Sequence, residues 1–478
     1  MKQTVTAIVL SISLLLSLLP GTLNAVELPI LGDSSSDIIS LDEEHRLGNA
    51  WVRILRAQAP LLDDPLSYSF VQQLLQQLSV YSHLQDRRLT LVVIDDNTLN
   101  AFAVPGGVIG VNAGLFLHSN TESEFASVLA HELSHLSQRH YAQRLAEEQK
   151  SLPLQLATTL AGILLMATTD SQAGAAAIMG GQAAAVQNSL AFSRSNEQEA
   201  DRVGMQVLVE SGFDPRAMPR MFSQLQRSTS SMGRKPPEFL LTHPVTESRI
   251  ADALNRSAQL PQRGRVNSLD YQLIRTRIQV LSMRNNQRAL QHFQQEVDNN
   301  PKPANRYGLA FSALRNNQPE LAQQQIDLLL QQQLTPLPYR LLQAELWNTS
   351  GQAKRASDLL QQMLSVYPNS HPITMLLAQS LHLQDRQQQV VDLLESHSRL
   401  HSDDVQLWYL LAEAYGLAND IKGVHLARAE YFMLTASVPR ARQHLQLALK
   451  QPNVSEHEKL LIEQRIKDAE LLQLDLNF

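Results

Sequence analysis

The chain has 478 residues, of which 44% are apolar and 18% charged, with a formal net charge of −6. That length allows two or three domains, and an acidic balance without a dense Lys/Arg block argues against a nucleic-acid partner. There is no cysteine, which excludes disulfides, a lipid-modified N-terminal Cys, thiolate metal sites and a Cys nucleophile; any metal must be held by His and carboxylate.

Residues 1–25 carry a basic Lys2, an apolar run from about residue 7 to 19, a Pro20-Gly21 break and a terminal Ala25. This pattern predicts a secretory signal peptide cleaved near Ala25. Leu23 is larger than the small residue usual three before the cut, and a retained anchor is the alternative reading. The apolar run is short for a membrane span. Zero cysteines also suit an oxidising compartment.

Residues 68–84 have helical apolar spacing, and RLTLVVIDD at 88–96 predicts a buried strand. Two short β-rich runs flank Pro105-Gly106-Gly107, as in a hairpin. Thr121 and Glu124 have capping-box spacing, so a helix is expected from Glu122.

That helix carries LAHELSHLSQRH at 129–140. Positions four apart share a helix face, so His131 and His135 can offer imidazoles to one ion. Glu132 points elsewhere and is free to act as a base beside an open coordination position. The five-letter H-E-x-x-H pattern is weak evidence by itself, because a catalytic zinc needs a third protein ligand. SRSNEQEADRVG at 193–204 offers one, since Glu197 and Asp201 share a helix face. Glu197 can then be the third ligand while Asp201 holds the outer nitrogen of a ligand histidine; a solvated acidic face is the alternative reading of these residues by themselves. Glu199 points away from that face. His118 and His140 lack partners at ligand spacing and are expected at the surface or at helix ends.

Residues 151–190 are first apolar and then Ala/Gly-rich, with Gln155, Asp170 and Gln172 interrupting. They predict a helical hairpin packed on the catalytic domain, or a flap touching membrane or substrate. From about Asn267 the pattern is helical and rich in Gln and Leu. Ala289, Ala322, Ala356, Val390 and Val424 recur at intervals of 33, 34, 34 and 34, with Ala310, Ala344, Ala378 and Ala412 each 12 residues before the later four. Phe293, Ile326 and Leu360 follow four after the first three. A small residue every 34 lets paired helices pack closely. Together with W-x-x-L-A-x-x-Y at 408–415, this resembles tetratricopeptide repeats. The register breaks after Val424, and an irregular final pair is expected. A non-repeating α-domain is the alternative.

Taken together, HELSH, Glu197-x-x-x-Asp201, AFAVPGG at 101–107 and THPVTESRI at 242–250 resemble the zinc metallopeptidases of the HtpX and CAAX-prenyl-protease type. The resemblance covers about residues 41–260. It implies one Zn2+ on His131, His135 and Glu197, with catalysis by Glu132 and Asp201 orienting a ligand histidine. It further implies that His243 can fill the fourth zinc position as a resting latch. From chemistry alone His243 could equally stabilise an oxyanion or cap the loop before Pro244. Val104, Pro105, Gly106 and Gly107 match that family's substrate-side strand, where an extended peptide can add to the sheet. Arg249 pairs with a nearby acid or lies at the surface.

The expected fold is mainly α: a zincin-like α+β metallopeptidase domain with a small sheet (26–262), then an α-solenoid of tetratricopeptide repeats (263–478). A leader in front and repeats behind resemble the periplasmic branch of the family, which acts as protease and chaperone in outer-membrane β-barrel assembly. That resemblance implies unfolded or stalled β-barrel proteins as substrates and the barrel-assembly machinery as a partner of the repeats. Two alternatives stand beside it. One is a non-catalytic repeat scaffold with a structural or latched zinc, which an intact Glu132 argues against. The other is a membrane-anchored protease with the repeats as a spacer.

Overall fold

The computed structural model describes residues 39–147, 164, 193–230, 238–262, 264–333, 335–452 and 454–476. The expected signal peptide lies outside the described residues, as does the expected apolar hairpin at 151–190 apart from Leu164. Among the described residues, no helix is long and apolar enough to cross a membrane.

Two helices, Leu41–Gln58 and Pro65–Ser79, precede the sheet. Its strands are β1 (Thr90–Ile94), β2 (Ala101–Val104) and β3 (Val108–Asn112), in the order β1-β3-β2. β2 and β3 form the predicted hairpin, with Ala101 opposite Val111 and Val104 opposite Val108. β1 pairs parallel to β3 on its other side, which leaves β2 at an edge. The turn needs glycine: Gly106 and Gly107 have φ of 88° and 84°, a region that side chains disfavour. A Cβ on Gly107 would also sit 2.1 Å from the Arg88 carbonyl oxygen.

Alternate residues of the strands feed two cores. Leu91, Val93, Ala101, Ala103, Ile109 and Val111 face the main core. Val92, Ile94, Phe102, Val104 and Val108 face Trp51, Val52 and Leu55 of the first helix. Against the main-core face lies the helix Glu122–Ser137. Thr121 caps it by accepting from the Glu124 amide at 3.3 Å. The Glu124 carboxylate accepts from the Asn120 amide at 2.8 Å, one residue before the position a full capping box would use.

The expected domain boundary falls just before Leu269–Ser282, a helix that belongs to both halves. Tyr271 donates to the Ser119 carbonyl at 2.9 Å and stacks on Phe116. Arg277, fully buried, donates to Asp64 at 2.8 Å and to Glu345 at 2.8 Å, with its guanidinium 4.2 Å from the Phe311 ring centre. One hydrophobic cluster therefore runs from the peptidase half into the repeats.

The repeats are antiparallel helix pairs from Asn286–Asn299 and Pro303–Arg315 onward. Ala289, Ala310, Ala322, Ala344, Ala356, Ala378, Val390 and Ala412 are all buried where the helices meet. Val424 is only half-buried. There Gly423 takes the close approach, since a Cβ on it would lie 2.4 Å from the Tyr415 ring. The last helix, Glu456–Asp475, and the helix Ile421–Leu434 both pack back onto the first helix. Arg46 pairs with Asp475, and Arg53 donates to the Met433 carbonyl at 2.7 Å.

Arg277→Ala strands two carboxylates, one of them buried, at the junction of the halves. Losing one partner of a buried ion pair costs about 3–5 kcal/mol. Denaturant unfolding monitored by far-UV circular dichroism should show a loss of that size; a loss below about 1 kcal/mol would place the junction's strength elsewhere.

Candidate metal centre

The helices Glu122–Ser137 and Arg194–Glu210 cross closely because Gly204 sits at the contact. A Cβ there would be 3.1 Å from the Ala130 carbonyl oxygen and the His131 amide nitrogen. Ser193 caps the second helix. The approach puts Glu197 against both histidines of the first helix.

His131, His135, Glu197 and His243 are all buried and bring ligand atoms within 4.8 Å of one another. The Nε2 atoms of His131 and His135 are 3.1 Å apart. Glu197 lies 3.6 Å from His131 Nε2 and 3.4 Å from His135 Nε2. The Asp201 carboxylate lies 3.0 Å from His131 Nδ1, so Nε2 is the nitrogen left to face the cluster. Two imidazoles and a carboxylate, all buried and converging, are a donor set for zinc or a similar divalent ion.

Glu132 is fully buried, and neither of its carboxylate oxygens has full hydrogen-bond geometry to a partner among the described residues. The groups nearest to acting on it are His243, with Nε2 at 3.6 Å, and the Ala103 backbone of β2. Burial pushes its carboxyl up from the usual range. A buried carboxylate of this kind needs a cation or a bound water beside it.

His243 is buried beside the cluster, 2.9 Å from Glu197 and 3.4 Å from His131. It ends a short segment after the helix Glu238–Thr242. Arg249, expected near an acid or at the surface, is buried. It clamps Asp201 through two donors at 2.7 Å, reaches Glu197 at 2.7 Å, and ties the chain back at the Pro244 carbonyl at 2.8 Å.

His140 is a correction. It is fully buried, and its Nδ1 lies 3.0 Å from His135 Nδ1, with Nε2 3.5 Å from Glu199. Each helix histidine thus has its outer nitrogen held, His131 by Asp201 and His135 by His140. Glu199 joins the second of these chains. Of the four residues expected on the substrate strand, Val104 ends β2 while Pro105, Gly106 and Gly107 make the turn. His118 is half-buried at a helix end, away from the cluster. Gly204 is the positioning residue missed in the sequence, although a glycine seven residues after Glu197 was visible there.

Charge organises the cluster. Burial would raise the Glu197 carboxyl, but His243 and His131 hold it well below the usual carboxylate range. Asp201 is lowered by His131 and Arg249 against the same burial penalty. Burial drives His135 well down, so its lone pair is available. His131 behaves oppositely: burial opposes protonation, yet Asp201 and Glu197 raise it to about 9.

The chain belongs to peptidase family M48, whose model matches residues 65–257 and so spans the sheet, both metal-centre helices and His243. This makes it a metallopeptidase. Along nearly its whole length it is similar to the β-barrel assembly-enhancing protease of Escherichia coli strain K12, 33% identical over 456 residues, 94% of this chain and 92% of that one. The protein of the same name from Yersinia pestis is 33% identical over 419 residues, 87% of this chain and 85% of its own. The mitochondrial metalloendopeptidase OMA1 of Schizosaccharomyces pombe is 31% identical over 185 residues, covering 38% of this chain and 50% of that one.

Ligation needs the His131 Nε2 lone pair, and the ion-free chain keeps a proton there up to about pH 9. Metal binding should therefore release a proton, and apparent affinity should rise about tenfold per pH unit below that value. Calorimetric titration in buffers of different ionisation enthalpy reads the released proton directly; a pH-independent affinity between pH 7 and 9 contradicts the assignment. Asp201→Asn should weaken the metal about 10–100-fold.

Proposed function

We propose that the chain is a periplasmic zinc endopeptidase, exported by residues 1–25, that acts on unfolded or stalled outer-membrane β-barrel proteins. The reading rests above all on Glu132, a buried carboxylate one residue from His131, between the His131–His135–Glu197 cluster and the edge strand β2. A zinc ion held by His131, His135 and Glu197 supplies Lewis acidity toward water and the scissile carbonyl. Glu132 takes the proton of the attacking water and delivers it to the leaving amine. Asp201 and Arg249 keep His131 in its ligating tautomer and hold Glu197 in place. An extended substrate would pair along the edge strand Ala101–Val104, whose own residues are buried, and its backbone would then pass Glu132.

The names of the full-length relatives support the β-barrel assembly role. The repeats would present partner-binding surfaces, including one for the barrel-assembly machinery and one for chaperone-like holding of clients. Glu345, Met375 and Leu410 of the repeats line a groove whose other side is formed by Asp63, Pro65 and Leu66 of the peptidase half. Residues 151–190 remain the segment proposed for peripheral membrane or substrate contact.

A resting, latched enzyme has its own observation. His243 lies 2.9 Å from Glu197 and 3.6 Å from Glu132, where water and substrate must enter. On this reading it must leave before catalysis.

Glu132→Gln should keep full metal content and lose at least about 10²-fold in cleavage of an unfolded β-barrel protein; equal cleavage by both proteins removes Glu132 as the base. His243→Ala should cleave faster than wild type in a time course of the same client. Slower cleavage with unchanged metal would instead make His243 a participant in the reaction.

A further inference from the structure

A second group of ligating side chains converges outside the peptidase centre, in the repeats. His371 opens the helix His371–His382, His397 lies in the last turn of Gln387–Ser398, and His401 follows in the turn after it. Their ring nitrogens lie within 4.8 Å of one another. We propose that these three imidazoles form a second metal site, built by the repeats at their contact with the peptidase half, and that it takes a borderline divalent ion such as Zn2+.

Two distances repeat those of the peptidase centre, although His371 and His397 are stacked at 11° where His131 and His135 meet edge-on at 75°. His371 Nδ1 and His397 Nε2 are 3.1 Å apart, the separation found between the Nε2 atoms of His131 and His135. The outer nitrogen of His371 is held by Asp404 at 3.0 Å, as that of His131 is held by Asp201 at 3.0 Å. Asp404 is fixed in turn, because it caps the helix Val405–Leu417 by accepting from the Leu407 amide at 2.9 Å. The arrangement sets the His371 proton on Nε2 and turns Nδ1 toward the other two rings. A carboxylate that orients a ligand imidazole from behind is the usual support of a metal site.

Three stacked imidazoles are otherwise a poor use of buried space. His371 and His397 are buried, and the His397 and His401 ring centres are only 4.3 Å apart. Burial and the neighbouring rings drive His397 down to about 4, and burial lowers His401 as well. Both present lone pairs at neutral pH, and imidazole suits zinc, nickel and copper better than magnesium or calcium. His371 and His401 line a cavity of about 220 Å³ with Asp403 and Asp404 and, from the peptidase half, Asp63 and Tyr68. A fourth ligand, water or carboxylate, has room there.

An ion at this point would join the start of one repeat helix to the end of the next. It would also stiffen the His371 ring that packs edge-on against Tyr68, 6.3 Å between centres. The site is therefore placed to strengthen the seating of the repeats on the peptidase half. It does not depend on how the first centre is read.

The test uses the full chain, stripped by chelator, reloaded with Zn2+ and passed through a desalting column before metal analysis. Wild type should retain two ions. His135→Asn should retain one, and His397→Asn or His401→Asn should also retain one, while the double variant His135→Asn/His401→Asn retains none. In the His135→Asn background, Zn2+ should raise the melting temperature, and His401→Asn should abolish that rise. His401 is half-buried and its variant should melt like wild type without metal, which separates loss of a site from loss of the fold. Asp404→Asn should weaken the second ion about 10–100-fold. One retained ion in wild type that His401→Asn leaves in place, or a second ion that survives both His397→Asn and His401→Asn, overturns the proposal.

Discussion

Everything at the peptidase centre depends on how closely two helices approach. Gly204 lets Arg194–Glu210 press against Glu122–Ser137 near His131. Even a methyl group there would force the helices to give by a few tenths of an ångström. Glu197 and Asp201 project from the same helix as Gly204, so both would retreat together. A ligand set tolerates displacements of only a few tenths of an ångström. The glycine thus converts a packing contact into a coordination distance.

The second constraint is charge. Glu132, Glu197 and Asp201 are all buried within one small volume. Arg249 answers two of them and is anchored by the Pro244 carbonyl, next to His243. That links the loop carrying His243 mechanically to the carboxylates it faces. Glu132 is left without such a partner, the condition a base needs if its charge is to respond to what binds beside it.

Much of this was legible locally. Helical spacing brought His131 to His135 and Glu197 to Asp201, because positions four apart share a face whatever the tertiary context. The same reasoning failed for His140. Arg139 has a φ of 49°, so the chain leaves the helix there and the next residue folds back under His135. No helical count from His131 could anticipate that reversal. The 34-residue period located the repeat helices, but at Val424 the close approach slid to Gly423 because Tyr415 fills the space. The hairpin turn was read from its glycines. The fact that only Val104 of the expected strand residues lies in β2 depends on pairing, which composition does not encode. Nor did local pattern show that Arg277 would join Asp64 to Glu345 across the halves, since those residues are far apart in sequence.

Solenoids are usually open, with each repeat supported only by its neighbours, so they fray from the ends. In this chain the C-terminal helices return to the first: Asp475 of the last helix pairs with Arg46, and the Met433 carbonyl of Ile421–Leu434 accepts from Arg53. The far end of the stack is thereby tied to the peptidase half. The terminal repeat cannot peel away without also uncovering Leu41–Gln58, which backs the sheet. Loss of the C-terminal helix is thus felt at the strands beside the metal centre, along a route that bypasses the intervening repeats.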